Sequence, residues 1–268
     1  MARLAGYGGA VYVGSQEVES CEDAWNEQAG TGVTATADTT DYKVGSASAK
    51  FVLTAGALVE ITASEVVSSM DLSSYAELLF WVKCSIGLTA GDFQILLDEH
   101  ALCASPSETL NIPALTADTW KFCKVAFAGA TGDRDAIISV GLKQAVDKGA
   151  LSIWLDDIRA SKTVAGIKSW TMDYVKEIQE TTSFADSGHK TFIPTVDAWS
   201  GSFEGFKDGA PLTIGSVVGL ELRESATATQ QWRGSAILTA IHSAASVDGL
   251  VVYSYDFQGT HLVELATA

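Results

Sequence analysis

The chain has 268 residues and a mass of 28.2 kDa, enough for one large domain or two ordinary ones. Hydrophobic residues make up 47% and charged residues 19%, a balance that can bury a core and is not typical of disordered chains. Seventeen basic against 33 acidic residues give a net charge of −16, which excludes proteins that hold nucleic acid through many phosphate contacts. No apolar run approaches the roughly 18 residues of a membrane span, so we expect no membrane-spanning helix. The opening lacks the apolar h-region of a secretory signal peptide, so we expect no secretory signal either.

Four cysteines, at positions 21, 84, 103 and 123, are separated by 63, 19 and 20 residues. This spacing contains no C-x-x-C pair and therefore excludes a zinc knuckle or a thioredoxin-type site. We interpret the cysteines as free thiols packed like small hydrophobic side chains, with a disulfide pair as the alternative.

Residues 19–161 have the pattern of short strands separated by turn residues. Glycine and aspartate at 89–92 and 131–133 supply two of the turns. Eight short strands without helical periodicity predict an antiparallel sandwich of the jelly-roll type. The predicted strands are 46–54, 58–62, 77–83, 93–98, 109–112, 120–127, 137–142 and 151–158.

The part after residue 162 predicts longer strands. Residues 250–257 and 197–206 alternate apolar and polar side chains, as half-buried strands do. Residues 217–223 and 229–242 predict the two strands of a hairpin, and 208–214 predicts a short helix or turn. The whole chain is therefore predicted to be all-β.

Three segments in this part carry a family resemblance. They read GIKSWTMDY at 166–174, TTSFADSGHKTFIP at 181–194 and WSGSFEG at 199–205. In their order and spacing these segments resemble the major tail tube proteins of long-tailed, non-contractile bacteriophages. The opening ARLAGYGGAVYVG at 2–14 resembles that family's N-terminal strand. One departure is Thr195, which stands where the family often has glycine after the proline.

The order of the segments implies a split domain. In the family the N-terminal strand runs within a few residues into the V-x-G-I-K-x-W strand, whereas about 140 residues separate the two here. The resemblance thus implies a discontinuous tail tube domain, 1–18 plus 162–268, with residues 19–161 as an inserted jelly-roll domain that faces outward. Insertion at a loop tip is tolerated because the entropy of loop closure grows slowly with loop length.

The resemblance implies a structural virion protein in the tail, assembled in the host cytoplasm, which self-assembles into stacked hexameric rings. Such rings form the conduit through which DNA is ejected. The implied partners are other copies of the chain, tape-measure and tail-terminator proteins, and DNA in transit without specific binding. We expect no membrane partner. We also expect no enzyme, because the sequence has no P-loop, H-E-x-x-H or G-x-S-x-G motif.

This assembly implies roles for two sets of residues, one in contacts between subunits and one in the lining of the lumen. The loop at 184–194 is expected to reach a neighbouring subunit or ring, through Phe184, Asp186, His189, Phe192 and Pro194. The tube segments carry a net charge of −5, and DNA must slide past a wall that does not hold it. Acidic residues predicted on the polar faces of tube strands are therefore candidates for the lumen: Glu204, Glu221 and Asp256.

The inserted block resembles, more weakly, carbohydrate-binding jelly rolls, through segments 22–25, 43–51 and 151–158. That resemblance implies host-surface glycans as ligands and a structural calcium ion held by hard carboxylate oxygens. The carboxylates concerned are Glu22, Asp23, Asp156 and Asp157; the alternative is ordinary exposed or turn-bonding side chains. Apart from this calcium ion we expect no cofactor.

Two other functions remain open from the sequence. The chain could be a stand-alone carbohydrate-binding protein, or the accessory module of a glycoside hydrolase. No carboxylate pair suited to glycoside hydrolysis is recognisable, because neighbouring residues 156 and 157 of one predicted strand point to opposite faces.

Overall fold

A computed structural model describes residues 9–27, 32–57, 60–184, 187, 189–207, 209–225, 230–247 and 249–267. The chain divides into two compact units. We call Met1–Tyr12 with Val164–Ala268 the tube unit and Val13–Thr163 the inserted unit, after the two domains predicted from the sequence. The boundaries predicted from the sequence are 18/19 and 161/162, whereas those of the compact units are 12/13 and 163/164.

The described chain is almost entirely β-structure, as the sequence predicts, with two short 3₁₀ turns at Ala101–Cys103 and Thr131–Arg134. No helix in the described residues has the length and apolar content to cross a bilayer. The strands are β1 (Ala10–Glu19), β2 (Asn26–Glu27), β3 (Val33–Asp38), β4 (Ser48–Leu53), β5 (Ile61–Met70), β6 (Glu77–Cys84), β7 (Phe93–Asp98), β8 (Glu108–Asn111), β9 (Lys121–Ala126), β10 (Ile137–Gln144), β11 (Leu151–Thr163), β12 (Ile167–Glu180), β13 (Phe192–Phe206), β14 (Val217–Arg223), β15 (Gln230–Ala244) and β16 (Val252–Thr267).

The inserted unit is a sandwich of two antiparallel sheets. One sheet has the order β2-β5-β10-β7-β8. The other contains β3, β4 and β11 in that order, with β6 pairing both β11 and β9, and with β1 also pairing with β11. Inward-facing side chains from both sheets share one hydrophobic core. The two-sheet antiparallel architecture agrees with the predicted sandwich.

Strand β6 shows why this core is large. Its sequence ELLFWVKC is apolar on both faces, and all of its residues except Lys83 are buried. Leu78, Phe80 and Val82 enter the main core, whereas Leu79 and Trp81 pack with Phe122 in a second cluster on the opposite face. All four cysteines are free and buried, in agreement with their interpretation as small hydrophobic side chains.

The tube unit contains a ladder of antiparallel strands in the order β12-β13-β16-β15-β14, followed by β1. On β13 and β16, Phe203, Tyr255 and Phe257 are buried on one face at alternating positions, as the predicted alternation requires. Aromatic rings on this face contact one another across the strands: Phe203 and Tyr255 are stacked with centroids 5.1 Å apart, and Trp199 and Phe257 are tilted with centroids 5.7 Å apart.

The two glycines of the WSGSFEG segment allow β12 to approach β13 closely. A Cβ atom on Gly201 would lie 2.1 Å from the carbonyl oxygen of Thr171, and one on Gly205 would lie 2.6 Å from that of Gly166. No side chain fits at either position without displacing backbone. The motif therefore reflects close packing between the strands of this hairpin.

The structure differs from the sequence prediction at several elements. Strand β3 was not predicted, since its VTATAD sequence has no large apolar residue to mark a buried face. Residues 209–216 form bends and a turn without a helix, and residue 208 lies outside the described residues. β11 and β16 extend several residues beyond the predicted strands 151–158 and 250–257.

Candidate assembly surfaces

The hairpin formed by β12 and β13 exposes several large apolar side chains. None of the fourteen residues of β12 is buried, and eleven are exposed. Within the described residues β12 pairs only with β13, so its outer edge is open. A long, open and partly apolar edge strand is a template for pairing with another chain.

The predicted contact loop lies at the tip of this hairpin. Phe184 is fully exposed, and half of the Phe192 side chain is exposed. His189 and Pro194 are exposed as well, whereas Asp186 lies outside the described residues. The sequence prediction missed further exposed apolar side chains on the same hairpin, which join this surface: Val175, Ile178, Ile193 and Val196. Their irregular spacing gave no alternation to signal them.

Cross-strand ion pairs hold the two strands of the hairpin in register. The Lys176 ammonium lies 2.7 Å from the Asp197 carboxylate, and the Tyr174 hydroxyl donates to the same carboxylate at 2.8 Å. These two donors lower the pKa of Asp197. Near the tip, Lys190 lies 2.9 Å from Glu180. As exposed pairs they contribute little stability, and their main effect is on geometry.

A second surface of the tube unit is polar and acidic. By register, Glu204 lies opposite Ser254, and Ser202 lies opposite Asp256, on the face away from the buried aromatic rings. The Glu204 and Asp256 side chains are 42% and 46% exposed. Lys168 pairs with Glu204 at 3.6 Å, and His242 Nε2 lies 3.1 Å from Asp256. This face therefore combines small hydroxyl side chains with two half-exposed carboxylates, one of which pairs with a lysine ammonium.

Glu221, the third lumen candidate, is not on this open face. Its side chain is fully buried, and its two carboxylate oxygens accept hydrogen bonds from Arg223 Nε (2.6 Å) and Arg233 Nε (2.7 Å). Two guanidinium groups compensate the cost of burying one carboxylate. The assignment of Glu221 to a solvent-facing polar strand face is corrected on this ground, and its role in the subunit is structural.

Three of the four carboxylates implied as calcium ligands have separate partners, and the fourth, Asp23, is exposed. Both oxygens of Glu22 accept hydrogen bonds from Ser46, and Asp157 Oδ1 accepts one from Arg159 Nε at 2.5 Å. Asp156 Oδ2 accepts backbone N–H bonds from Lys43 and Val44, while its Oδ1 is buried without a partner among the described residues.

Within the described part of the chain, no three His, Cys, Asp or Glu side chains come together as metal ligands. The carboxylates therefore do not form a calcium site made of several side chains. Asp156 Oδ1 is nevertheless buried and has no hydrogen-bond partner among the described residues. Burial, together with the charges of Asp157 and Glu22, raises the pKa of Asp156 to about 7. A proton on this carboxyl relieves the cost of burying its charge without any metal.

The tryptophans of the inserted unit offer little surface for stacking on a sugar ring. Trp25 and Trp81 are buried. Trp154 is 8% exposed, and the ammonium groups of Lys50 and Lys83 lie over its ring at 4.9 and 4.7 Å. The Trp154 Nε1–H donates to the Asp38 carboxylate. The Nε1–H of half-buried Trp120 donates to the Asp41 carboxylate. These contacts make the aromatic residues part of a packed polar network.

Comparison with known proteins found no matching family model and no matching curated protein. Solved structures that show similarity include two from gene transfer agent particles. One is the tail of an empty gene transfer agent particle refined with C6 symmetry, 18% identical, covering 40% of this chain and 87% of that chain with a TM-score of 0.35. The other is the virion of a native gene transfer agent particle, 18% identical, covering 40% of this chain and 89% of that chain with the same TM-score.

Proposed function

We propose that the protein is a structural subunit of a phage tail tube. Copies of the tube unit associate into rings, six-membered as the resembled family implies, and the rings stack into the conduit through which DNA leaves. The protein has no enzymatic role in this proposal. Its partners are other copies of itself and, as the resemblance implies, tape-measure and tail-terminator proteins.

The observation that carries the proposal is the β12–β13 hairpin. A two-stranded ribbon with no buried residue in its outer strand is marginal as an isolated element in water. Exposed Tyr174, Val175 and Ile178 add apolar surface that a second chain could cover. Pairing of this open edge with a neighbouring copy would stabilise the ribbon and cover its exposed apolar side chains. Repetition of this pairing around a ring would leave no strand edge exposed.

The polar face that contains Glu204 and Asp256 is proposed to line the lumen. Ser202 and Ser254 beside them are small and uncharged, and the carboxylates repel phosphate at distances within a Debye length of about 8 Å. A wall of this kind keeps DNA from adhering while it moves. Only Glu204 and Asp256 of the three predicted lumen residues are proposed to line the lumen, because Glu221 is buried.

The inserted unit is proposed to decorate the outside of the tube. A lumen position would obstruct DNA, and a position in the ring seam would interfere with assembly. Host-surface glycans stay a prediction of the weaker resemblance, since no described contact of the unit favours a sugar ligand over simple decoration.

The test of assembly is electron microscopy of the purified protein. Wild-type protein is expected to form rings or tubes, and a variant with Ile178→Ser and Ile193→Ser is expected to give monomers or short oligomers with an unchanged circular dichroism spectrum. Val146→Ser, which alters an exposed apolar side chain in the inserted unit, is the matched control. Wild-type monomers, or tubes of normal length from the hairpin variant, would contradict the proposal.

A deletion tests the external position of the inserted unit. The Val164 amide donates to the Val11 carbonyl at 2.9 Å, so the two ends of the tube unit are adjacent. A chain that joins residues 1–12 to 164–268 through a short glycine linker is expected to assemble into tubes of smaller outer diameter and the same bore. Loss of assembly by a folded deletion protein would place the inserted unit in the tube wall.

A further inference from the structure

A groove of about 460 Å³ crosses the inserted unit between segments of its two sheets. Residues 16–20, from the end of β1, form one wall. Residues 66–70, the second half of β5, form the other. No part of the proposed tube assembly uses this groove.

The β5 wall is an open sheet edge. Among the described residues β2 pairs only with Ser64 and Ala63 of β5, so 65–70 has no strand on its outer side. The Val66 N–H donates instead to Oε1 of the neighbouring Glu65 side chain at 3.1 Å. A side-chain carboxylate thus occupies the position where the carbonyl of an added strand would accept. The Val66 side chain is 57% exposed beside it.

The opposite wall is acidic. The ten lining residues include Glu17 and Glu19 and no cationic side chain. Arg159 Nη2 lies 2.8 Å from Glu17, whose side chain nevertheless stays 53% exposed. Burial and the nearby charges of Asp23, Glu65 and Glu17 raise the pKa of Glu19. An incoming cation would be favoured here because it offsets this repulsion.

We propose that this groove binds an extended segment of a partner protein, which adds a strand to the β5 edge and sets lysine or arginine side chains against Glu17 and Glu19. The segment's backbone carbonyl would accept the Val66 N–H and release the Glu65 carboxylate. Main-chain bonds of this kind supply affinity, and alternate side chains supply specificity. About six residues would span the open length of 65–70, at roughly 3.3 Å per residue, and the register shift of β5 against β10 between Val66 and Met70 would bend the added strand there.

The test uses the full-length chain and a fluorescent eight-residue peptide that alternates lysine with valine and threonine. Fluorescence anisotropy is expected to show binding that weakens as salt rises, and no binding of the same peptide with glutamate in place of lysine. Val66→Pro removes the outward N–H and should weaken binding at least tenfold. Val66→Lys keeps the backbone intact, places a like charge beside the peptide and should weaken it comparably.

Thr109→Pro is the matched control. Thr109 lies on β8, the opposite edge of the same sheet, and proline is tolerated at such an edge. It is expected to leave peptide binding unchanged. Absence of binding by the wild type, equal binding of the glutamate peptide, or equal loss in Thr109→Pro and both Val66 variants would overturn the proposal. None of these outcomes bears on tube assembly.

Discussion

The indole ring of Trp199 lies flat against the backbone of Gly259, in a slot that only glycine can form. A Cβ atom on Gly259 would lie 1.9 Å from Trp199 Cε2, and one on Gly234 would lie 2.8 Å from Cζ2. The Trp199 Nε1–H donates to the His261 carbonyl at 3.1 Å, so the ring is both buried and hydrogen-bonded. The tryptophan on β13 therefore fastens β15 and β16 to the strand that bears the proposed assembly hairpin.

This slot predicts that Gly259→Ala is strongly destabilising. The added methyl group would expel the ring or shift β16, at a cost of about 2–4 kcal/mol in the free energy of unfolding. Chemical denaturation with tryptophan fluorescence measures the change. Gly132→Ala, where a Cβ atom would meet nothing within 4 Å, should cost far less. Equal effects of the two changes would show that the slot is not tight in solution.

The buried charge cluster around Glu221 predicts a second large effect. Glu221→Ala would leave Arg223 and Arg233 facing each other without their common carboxylate. Removal of one partner from a buried pair costs roughly 3–5 kcal/mol. Glu204→Ala removes a half-exposed carboxylate and is expected to change stability by less than about 1 kcal/mol. Urea unfolding measures the change in the free energy of unfolding. A small change for Glu221→Ala would mean that water hydrates the two guanidinium groups once the carboxylate is removed.

Asp156 predicts a pH dependence of stability. Its pKa of about 7 in the folded chain exceeds the ordinary value of 3.8, so the folded state binds the proton more tightly than the unfolded state. Stability from this group is present below about pH 4 and is lost as pH rises towards 7, with a slope of up to about 1.4 kcal/mol per pH unit.

The Asp156→Asn variant should flatten this part of the profile. Denaturation midpoints between pH 4 and 8 test it, with exposed Asp23→Asn as the control. A wild-type profile that rises across this interval would contradict the raised pKa. Stabilisation by calcium at pH 8, lost in Asp156→Asn, would instead favour the metal site that the resemblance implies.

The acidic polar face predicts weak DNA binding. Wild-type tubes are expected to bind duplex DNA negligibly even at low salt. A variant with Glu204→Lys and Asp256→Lys should bind it, with an affinity that falls as salt rises and with slower ejection in a reconstituted tail. A filter-binding titration across salt concentrations measures the first effect. Salt-sensitive binding by the wild type, or none by the lysine variant, would remove this face from the lumen.

Strand alternation and turn residues were enough to predict the all-β class and most strands. The strands 93–98 and 217–223 agree with β7 and β14 at both ends. These predictions worked because a half-buried or fully buried strand must repeat its apolar residues with a period of two, or continuously, wherever its sheet faces a core. The reason for the glycines of WSGSFEG, in contrast, is visible only in the structure, since Gly201 and Gly205 lie where strand β12 leaves no space for a side chain.

The tertiary structure alone decided which carboxylates are buried and which are exposed. Glu221 and Glu204 occupy similar alternating positions in their strands, but two arginines enclose the first and solvent reaches the second. Likewise, the edge of β5 is open because β2, its neighbour, has only two residues. The sequence of β5 contains no sign of the length of its neighbour. Burial, ion pairing and free sheet edges are properties of strands brought together from distant parts of the chain, and a local pattern contains only one member of each such contact.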